Sequence, residues 1–329
     1  MKAIQLVDRG TSLHLHAALS IPRVDASTLQ AKDIERLIDA MERQNFKGSE
    51  VTIACPPGVV HTDLLELPPR SSGVPIEQIT RVEIQRSGRF DAKPFEMAFW
   101  ELPSTARSGA ATNVMAVAVK DDDIAPILST IESCGLDVAA METNGTALAR
   151  LFSSSAPDAV HSIVDCGASA SSLILVHAGV VIYKRRLSES SFDLLRRSIA
   201  DELELDEVEV DSVLQEHGVK QDGAQQDQVP QVARLRGMVA QHLDALSDEI
   251  ESSLAYAAHR YPQLRASDVA LTGGGAGIAE IDRYIGRRLS IDVRVIRPAE
   301  FVQFAPQHSE MAVSPVMLTA LGLAMNEAD

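Results

Sequence analysis

Two short segments carry the residue types that phosphate chemistry needs. Ile163-Val164-Asp165-Cys166-Gly167-Ala168-Ser169-Ala170-Ser171 sets an acid at the end of an apolar run, followed by glycine and small hydroxyl residues. Successive backbone N–H groups in a tight turn form a nest for an anion. A carboxylate at that point can hold a hydrated divalent cation against phosphate oxygens. Asp165, Gly167, Ser169 and Ser171 are therefore candidate nucleotide contacts, with Asp165 reaching a metal through water. The second segment is Val269-Ala270-Leu271-Thr272-Gly273-Gly274-Gly275-Ala276. Three glycines between a strand and a helix let the backbone lie against a flat or charged ligand, which makes Gly273, Gly274 and Gly275 candidates too. Each segment alone also has a plain reading: a hairpin turn for the first, a permissive strand-to-helix turn for the second.

Other groups point less clearly to chemistry. His14 and His16 share a strand face, but no third ligand is near them in sequence for a metal. Glu83 reads as a surface helix acid, and Trp100, the only tryptophan, as a core residue of an alternating strand. Cys55, Cys134 and Cys166 are odd in number and have no metal-ligand spacing, so they read as small buried hydrophobes in a reducing compartment.

The elements around these segments follow from periodicity. Alternation predicts strands over Ala3–Val7 and Leu13–Ile21, with a turn at Asp8-Arg9-Gly10. Apolar residues at helical spacing predict a helix over Asp33–Arg43, and further helices over Ile76–Arg86 and Asp122–Ser133. Between and after them lie strands near 51–54, 61–67, 95–102, 113–119 and 138–142, then a helix from Gly145. The second half repeats the style. Strands at 162–165, 171–177 and 180–186 precede helices over Phe192–Leu203, Asp206–His217 and Val229–Tyr261, the last ended by Pro262. A strand at 267–271, a helix at 278–288, a strand at 292–296 and a helix over Val316–Met325 close the chain. The whole is an α/β chain with two related halves and inserted subdomains.

The 329 residues exceed what a single core usually holds, which agrees with two domains. At 45% hydrophobic and 23% charged, the composition is that of a globular protein. A net charge of −16 argues against nucleic acid and against anionic membranes as partners. From Asp201 to Pro230 ten acids face one base, Lys220, giving −9 of that total. This run is either a solvated pair of helix faces leading into a loop or an acidic docking surface. No apolar run is long enough to span a bilayer, and no signal-peptide pattern opens the chain, so a cytoplasmic protein without direct membrane insertion is expected.

D-x-G-x-x-x-S about a hundred residues before L-T-G-G-G-A resembles the actin-like ATPase superfamily. Within it the sequence resembles the PilM family of type IV pilus assembly, through Met1-KAIQL, Ala17-ALSIP, Glu66-LPP, Gly135-LDV with Glu142, Ala147-LARL and Leu318-TALGLAM. The division protein FtsA is a more distant relative. The resemblance implies an actin-like fold, with domain 1 over 1–158 carrying an inserted subdomain at about 23–135. Domain 2 would cover 159–329, with an acidic helical subdomain at about 191–264 and a C-terminal helix returning to domain 1. It implies ATP and Mg as ligands. It also implies the cytoplasmic tail of a PilN-like inner-membrane protein as partner, with pilus motor components beyond it.

The departures from the family matter as much. The family's first phosphate loop, with its strand, has no counterpart before Met1-KAIQL, so one strand and one loop are expected to be missing unless the start lies upstream. Asp8-Arg9-Gly10-Thr11 is rejected as a substitute, because Ala17-ALSIP then loses its match. A family Gly-Gly is Ser190-Ser191, and the helix framing the adenosine keeps an acid, Glu209, but has Ser212 for its lysine. A family arginine is replaced in Glu249-Ile-Glu-Ser-Ser-Leu. Each lost cation removes a contact worth about 1.5–3 kcal/mol, and two weaken binding by about a hundredfold or more. No residue stands out as a base for an attacking water. The resemblance therefore implies an adaptor with weak or degenerate ATP binding and no efficient ATPase activity. The alternatives are an active actin-like ATPase whose first loop lies upstream, and a nucleotide-free scaffold similar to GspL of type II secretion.

Overall fold

The computed structural model describes residues 1–10, 12–23, 29–90, 93–103, 111–153, 159–187, 190–219, 229–262 and 266–326. The contacts divide the chain into two units: Met1–Arg150 with Val302–Ala305 and Thr319–Asp329, and Leu151–Phe301 with Pro306–Leu318.

The first unit opens with the hairpin β1 (Lys2–Asp8) and β2 (Leu13–Ser20). The Asp8 carboxylate accepts from Gly10 N at 2.6 Å, and Gly10 takes a φ of +84° that favours glycine, so Asp8-Arg9-Gly10 serves the turn. α1 (Ala31–Arg43) follows, then β3 (Glu50–Ala54) and β4 (His61–Leu67). α2 (Ile76–Arg86), β5 (Phe95–Glu101), β6 (Thr112–Lys120) and α3 (Asp121–Ser133) come next, then β7 (Asp137–Glu142) and α4 (Asn144–Arg150).

Among the described residues three separate sheets result: β1 pairs with β2 alone, β3 runs parallel to β7, and β4-β6-β5 form an antiparallel sheet. α2 covers that third sheet through a small core of Ile84, Phe90, Phe95, Ala116 and Ala118, with the Phe90 and Phe95 rings 4.6 Å apart. Trp100 lies on β5, and Glu83 pairs with Arg86 on the surface of α2.

The second unit holds a five-stranded sheet in the order β10-β9-β8-β11-β12. Its strands are β8 (Val160–Asp165), β9 (Ser171–His177), β10 (Val180–Leu187), β11 (Ala266–Thr272) and β12 (Asp292–Val295). β8 runs antiparallel to β9 and parallel to β11. β9 is buried from Ser171 to Val176, so both faces are covered and its sequence reads as a continuous apolar run. Ala178 and Gly179 both have positive φ, +50° and +76°, which is the turn that matches strand twist in a two-residue hairpin.

The helices are α5 (Phe192–Leu203), α6 (Glu207–His217) and α7 (Pro230–Arg260). α7 starts with proline at a position whose N–H is unpaired anyway, and buries Leu235, Val239, Leu243, Leu246 and Ile250 along one stripe. α8 (Ile281–Leu289) begins three residues later than its sequence pattern, because Ile278 is extended and Glu280 takes a left-handed φ of +62°. α9 (Ser309–Val313) and α10 (Leu318–Ala324) end the fold. α10 also starts late. Pro315–Met317 form a 3-10 turn, and the Pro315 carbonyl accepts from Thr272 Oγ1 at 2.9 Å and from Gly273 N at 3.3 Å.

Arg150, at the end of α4, ties the first unit together. Its guanidinium donates to the Gly322 carbonyl at 2.6 Å and pairs with half-buried Glu142 at 2.7 Å. Among the described residues no helix is long and apolar enough to cross a membrane, and no His/Cys/Asp/Glu cluster could hold a metal ion. His14 instead bonds the Ser12 hydroxyl and His16 the Asn45 carbonyl.

Candidate functional site

Asp165 and Thr272 are register partners at the carboxyl ends of the parallel neighbours β8 and β11. In open α/β sheets that end of the strands is where ligands gather. The two segments singled out in the sequence therefore meet. Cys166 N donates to the Thr272 carbonyl at 2.8 Å, and Gly275 N donates to the Cys166 carbonyl at 2.9 Å. Burial pushes the Cys166 thiol well above its ordinary range, helped by the charge of Asp165, so it is an inert core group.

The ladder between β8 and β9 stops at Asp165–Ser172. The N–H groups of Gly167, Ala168, Ser169 and Ala170 lie outside it, and Ala168 and Ser169 are exposed. This turn is tight: a Cβ on Gly167 would sit 2.3 Å from the Ala170 carbonyl oxygen. Its far side is strapped down. The Ala168 carbonyl accepts from Ser191 Oγ at 2.8 Å and from Asp193 N at 2.9 Å. Ser171 is fully buried, and its hydroxyl donates to the Ser190 carbonyl at 2.7 Å. Ser190, also buried, donates through Oγ to Glu249 of α7 at 2.8 Å. Ser191 stands at the cap position of α5 without capping it, because its hydroxyl serves the turn.

The structure thus gives Ser171 a task inside the fold rather than toward a ligand. Ser190 and Ser191, which in sequence register only as lost glycines, hold the turn in place. A pair of serines just before an amphipathic helix is a capping signal, and it hid this second use.

The glycines divide in the same way. Gly273 has φ +84°, and a Cβ there would lie 2.6 Å from an Asp165 carboxylate oxygen and 2.7 Å from the Cys166 carbonyl oxygen. A Cβ on Gly275 would lie 2.6 Å from ring carbons of buried Phe192, whose ring meets His242 edge-on at 4.7 Å. Only Gly274 of the three has nothing within 4 Å of its added Cβ. Gly273 and Gly275 are required by the packing of this loop on its own unit.

Glu209 lies in the first turn of α6, where its carboxylate accepts from Asp206 N at 2.8 Å. Asp206 in turn accepts from Val208 N and Glu209 N. That is a capping box, and Asp-x-x-Glu before an apolar stretch is its sequence sign. On the neighbouring face Arg196 of α5 reaches Asp211 of α6 at 2.8 Å. The acids at 206–211 are therefore in part spent on helix ends and ion pairs. Asp222 and Asp227 of the acidic run lie outside the described residues.

Tested against a nucleotide with Mg, the Asp165 carboxylate and the backbone N–H groups of the turn have the right chemistry. Ser171, Gly275 and Glu209 are occupied by internal contacts.

The family model for Type IV pilus assembly protein PilM matches residues 1–328. The chain belongs to the PilM family. Among solved structures, the PilM-PilN type IV pilus biogenesis complex is similar at 19% identity and a TM-score of 0.78, covering 98% of this chain and 94% of that one. The ethanolamine utilization protein EutJ from Carboxydothermus hydrogenoformans is similar at 12% identity and a TM-score of 0.54, covering 99% and 89%. A comparison with curated proteins finds no match. The PilM-family chain thus has the actin-like ATPase fold, with strands and helices in comparable number.

Proposed function

We propose that this PilM-family protein is a cytoplasmic adaptor in type IV pilus assembly, or in a related secretion or competence machine. It binds the cytoplasmic tail of a PilN-like inner-membrane protein, which recruits it to the membrane and to the pilus motor. The observation that carries this reading is the family match over residues 1–328. A solved structure similar to it over 98% of the chain is that of a PilM-PilN type IV pilus biogenesis complex. Titration calorimetry of the purified protein with a synthetic PilN-type tail peptide should give saturable heat. No saturation would reject the adaptor.

A nucleotide is held weakly, at the Asp165 carboxylate, the turn Gly167–Ser169 and the Gly273–Gly274 backbone. Magnesium, when bound, would screen phosphate charge beside Asp165. The chain's own part is to present backbone N–H groups on a turn that Ser191 bonds directly, through the Ala168 carbonyl. Weakness is favoured by the acidic stretch at 201–211 and by the internal use of Ser171 and Glu209. Steady-state phosphate release should be negligible. Robust release that Asp165→Ala abolishes would overturn this.

A further inference from the structure

α7 and α8 pack together, but only part of the way. The Tyr284 hydroxyl donates to Asp244 at 2.9 Å, and one turn on, Arg288 donates to Asp248 at 2.7 Å. α8 then stops, because Ser290 takes a left-handed φ of +56° and Ile291 N turns back to the Gly286 carbonyl at 3.3 Å. α7 continues over 251–260, about 15 Å at 1.5 Å per residue. One side of this stretch is tied to β10: Arg185 donates to the Ser253 hydroxyl at 3.3 Å, and the Tyr256 ring lies 5.5 Å from that of Tyr183. The other side, with Glu251, Leu254, Ala255 and Ala258 at helical spacing, lines a groove of ≈ 520 Å³ within the second unit.

The groove has an apolar floor and an anionic rim. Val160 of β8, Leu175 of β9 and Ile182 of β10 make the floor, and Leu289 and Ile291, at the end of α8, make the far wall. Leu254, Leu289 and Ile291 are only half-buried, and Ala255 and Ala258 are exposed. Among the described lining residues the charged ones are Glu251 and Asp268, with no lysine or arginine. Glu251 is exposed, and Asp268 pairs with Arg294 at 4.0 Å. The carboxyl end of α7 also opens here, and the last carbonyls of a helix add partial negative charge. The floor is the face of a sheet whose backbone groups bond within its plane. An occupant therefore meets side chains and has to satisfy its own N–H and C=O groups, which a helix does and an extended segment does not.

We propose that the groove seats a short amphipathic helix of a partner protein, with large apolar side chains on one face and lysine or arginine flanking them. The apolar side chains occupy the place that a longer α8 would fill, against Ile182, Leu254 and Leu289. The small side chains of Ala255 and Ala258 let the partner helix approach α7 closely. The flanking cations meet Glu251, Asp268 and the end of α7, and the same charges refuse an acidic helix. This proposal goes beyond the adaptor reading and does not depend on it.

Fluorescence anisotropy tests it on the full chain with a labelled synthetic peptide. The probe is a helix with leucine at i, i+3, i+4 and i+7 and lysine on both flanks. Binding should saturate in the micromolar range, and a probe with glutamate in place of lysine should bind at least tenfold more weakly. Ala258→Glu should weaken the lysine probe at least tenfold, because it puts a charge into the apolar groove. General attraction to a protein of charge −16 would instead be strengthened by the added acid. Ala255→Glu repeats the reading at a second exposed position, and an unchanged melting temperature reports that each variant is folded. Glu251→Gln should weaken binding about twofold to fivefold. The proposal is overturned if the lysine probe does not saturate, if the glutamate probe binds equally well, or if Ala255→Glu and Ala258→Glu leave affinity unchanged. It is overturned as well if excess PilN-type tail peptide displaces the probe, or if the protein is a dimer that Ala258→Glu dissociates, since the occupant is then the tail or a second copy.

Discussion

Gly275→Ala separates two reasons for a glycine beside a candidate ligand site. If Gly275 makes room for the Phe192 ring, adding a methyl group destabilises the protein with no ligand present. If it makes room for a nucleotide, stability is untouched and only affinity changes. The added Cβ would stand 2.6 Å from Phe192 ring carbons, against the 3.5–4.0 Å at which carbon contacts are favourable. Phe192 is 3% exposed and wedged against His242, so the ring has no open side to move toward. Overpacking of this kind costs about 1–3 kcal/mol, which lowers the melting temperature of a unit this size by about 2–12 °C. Phe192→Leu alone also destabilises, because it opens a void. In the double variant the smaller side chain makes room for the methyl group. The two costs therefore fail to add, with a coupling of at least about 1 kcal/mol. Calorimetric melting of the four proteins measures this. Trp100, the only tryptophan, lies in the first unit and reports by fluorescence whether that unit is unaffected. Strict additivity, or an unchanged melting temperature in Gly275→Ala, would refute the packing argument.

Further outcomes are expected elsewhere. His161 is held below its ordinary pKa by burial, only partly offset by Asp268, and its ring lies 4.6 Å from Phe152. A depressed histidine contributes stability that is complete above about pH 6.5 and is lost as pH falls toward the folded value. Melting temperature should therefore drop as pH falls below about 6.5, and His161→Phe should flatten part of that slope. His242, depressed by burial as well, accounts for another part. Gly322→Ala would place a Cβ 2.0 Å from the Ala147 carbonyl oxygen, a backbone atom that cannot rotate away. Its cost should reach or exceed about 3 kcal/mol, read as a fall in the urea midpoint. Asp206→Ala should cost about 0.5–2 kcal/mol by calorimetry while leaving nucleotide affinity unchanged, because Asp206 and Glu209 cap α6.

How much the sequence reveals depends on the range of the cause. β9 and the stripe on α7 are legible because burial follows local periodicity. The meeting of Asp165 with the glycine loop is legible because strand ends and small residues mark it. What the glycines make room for is not legible. The ring that fills the space at Gly275 comes from Phe192, more than eighty positions earlier. The same holds for Ser171 and Ser190, whose bonds depend on how β9, the strap and α7 come together. Glu209 shows the opposite case: the Asp206–Glu209 capping box lies in plain sight, but a ligand reading competes with it. The split of the first unit's sheet follows from which strands pair across long separations, and periodicity is silent on that.

Arg150 has a consequence for how the protein is made. Its guanidinium closes on Gly322, 172 positions later, within a unit that begins at Met1. A ribosome adds about 5–20 residues per second, so α4 waits roughly 9–34 s for that partner to be synthesised. The whole second unit is translated in the interval. The first unit is therefore completed only after the second has been made.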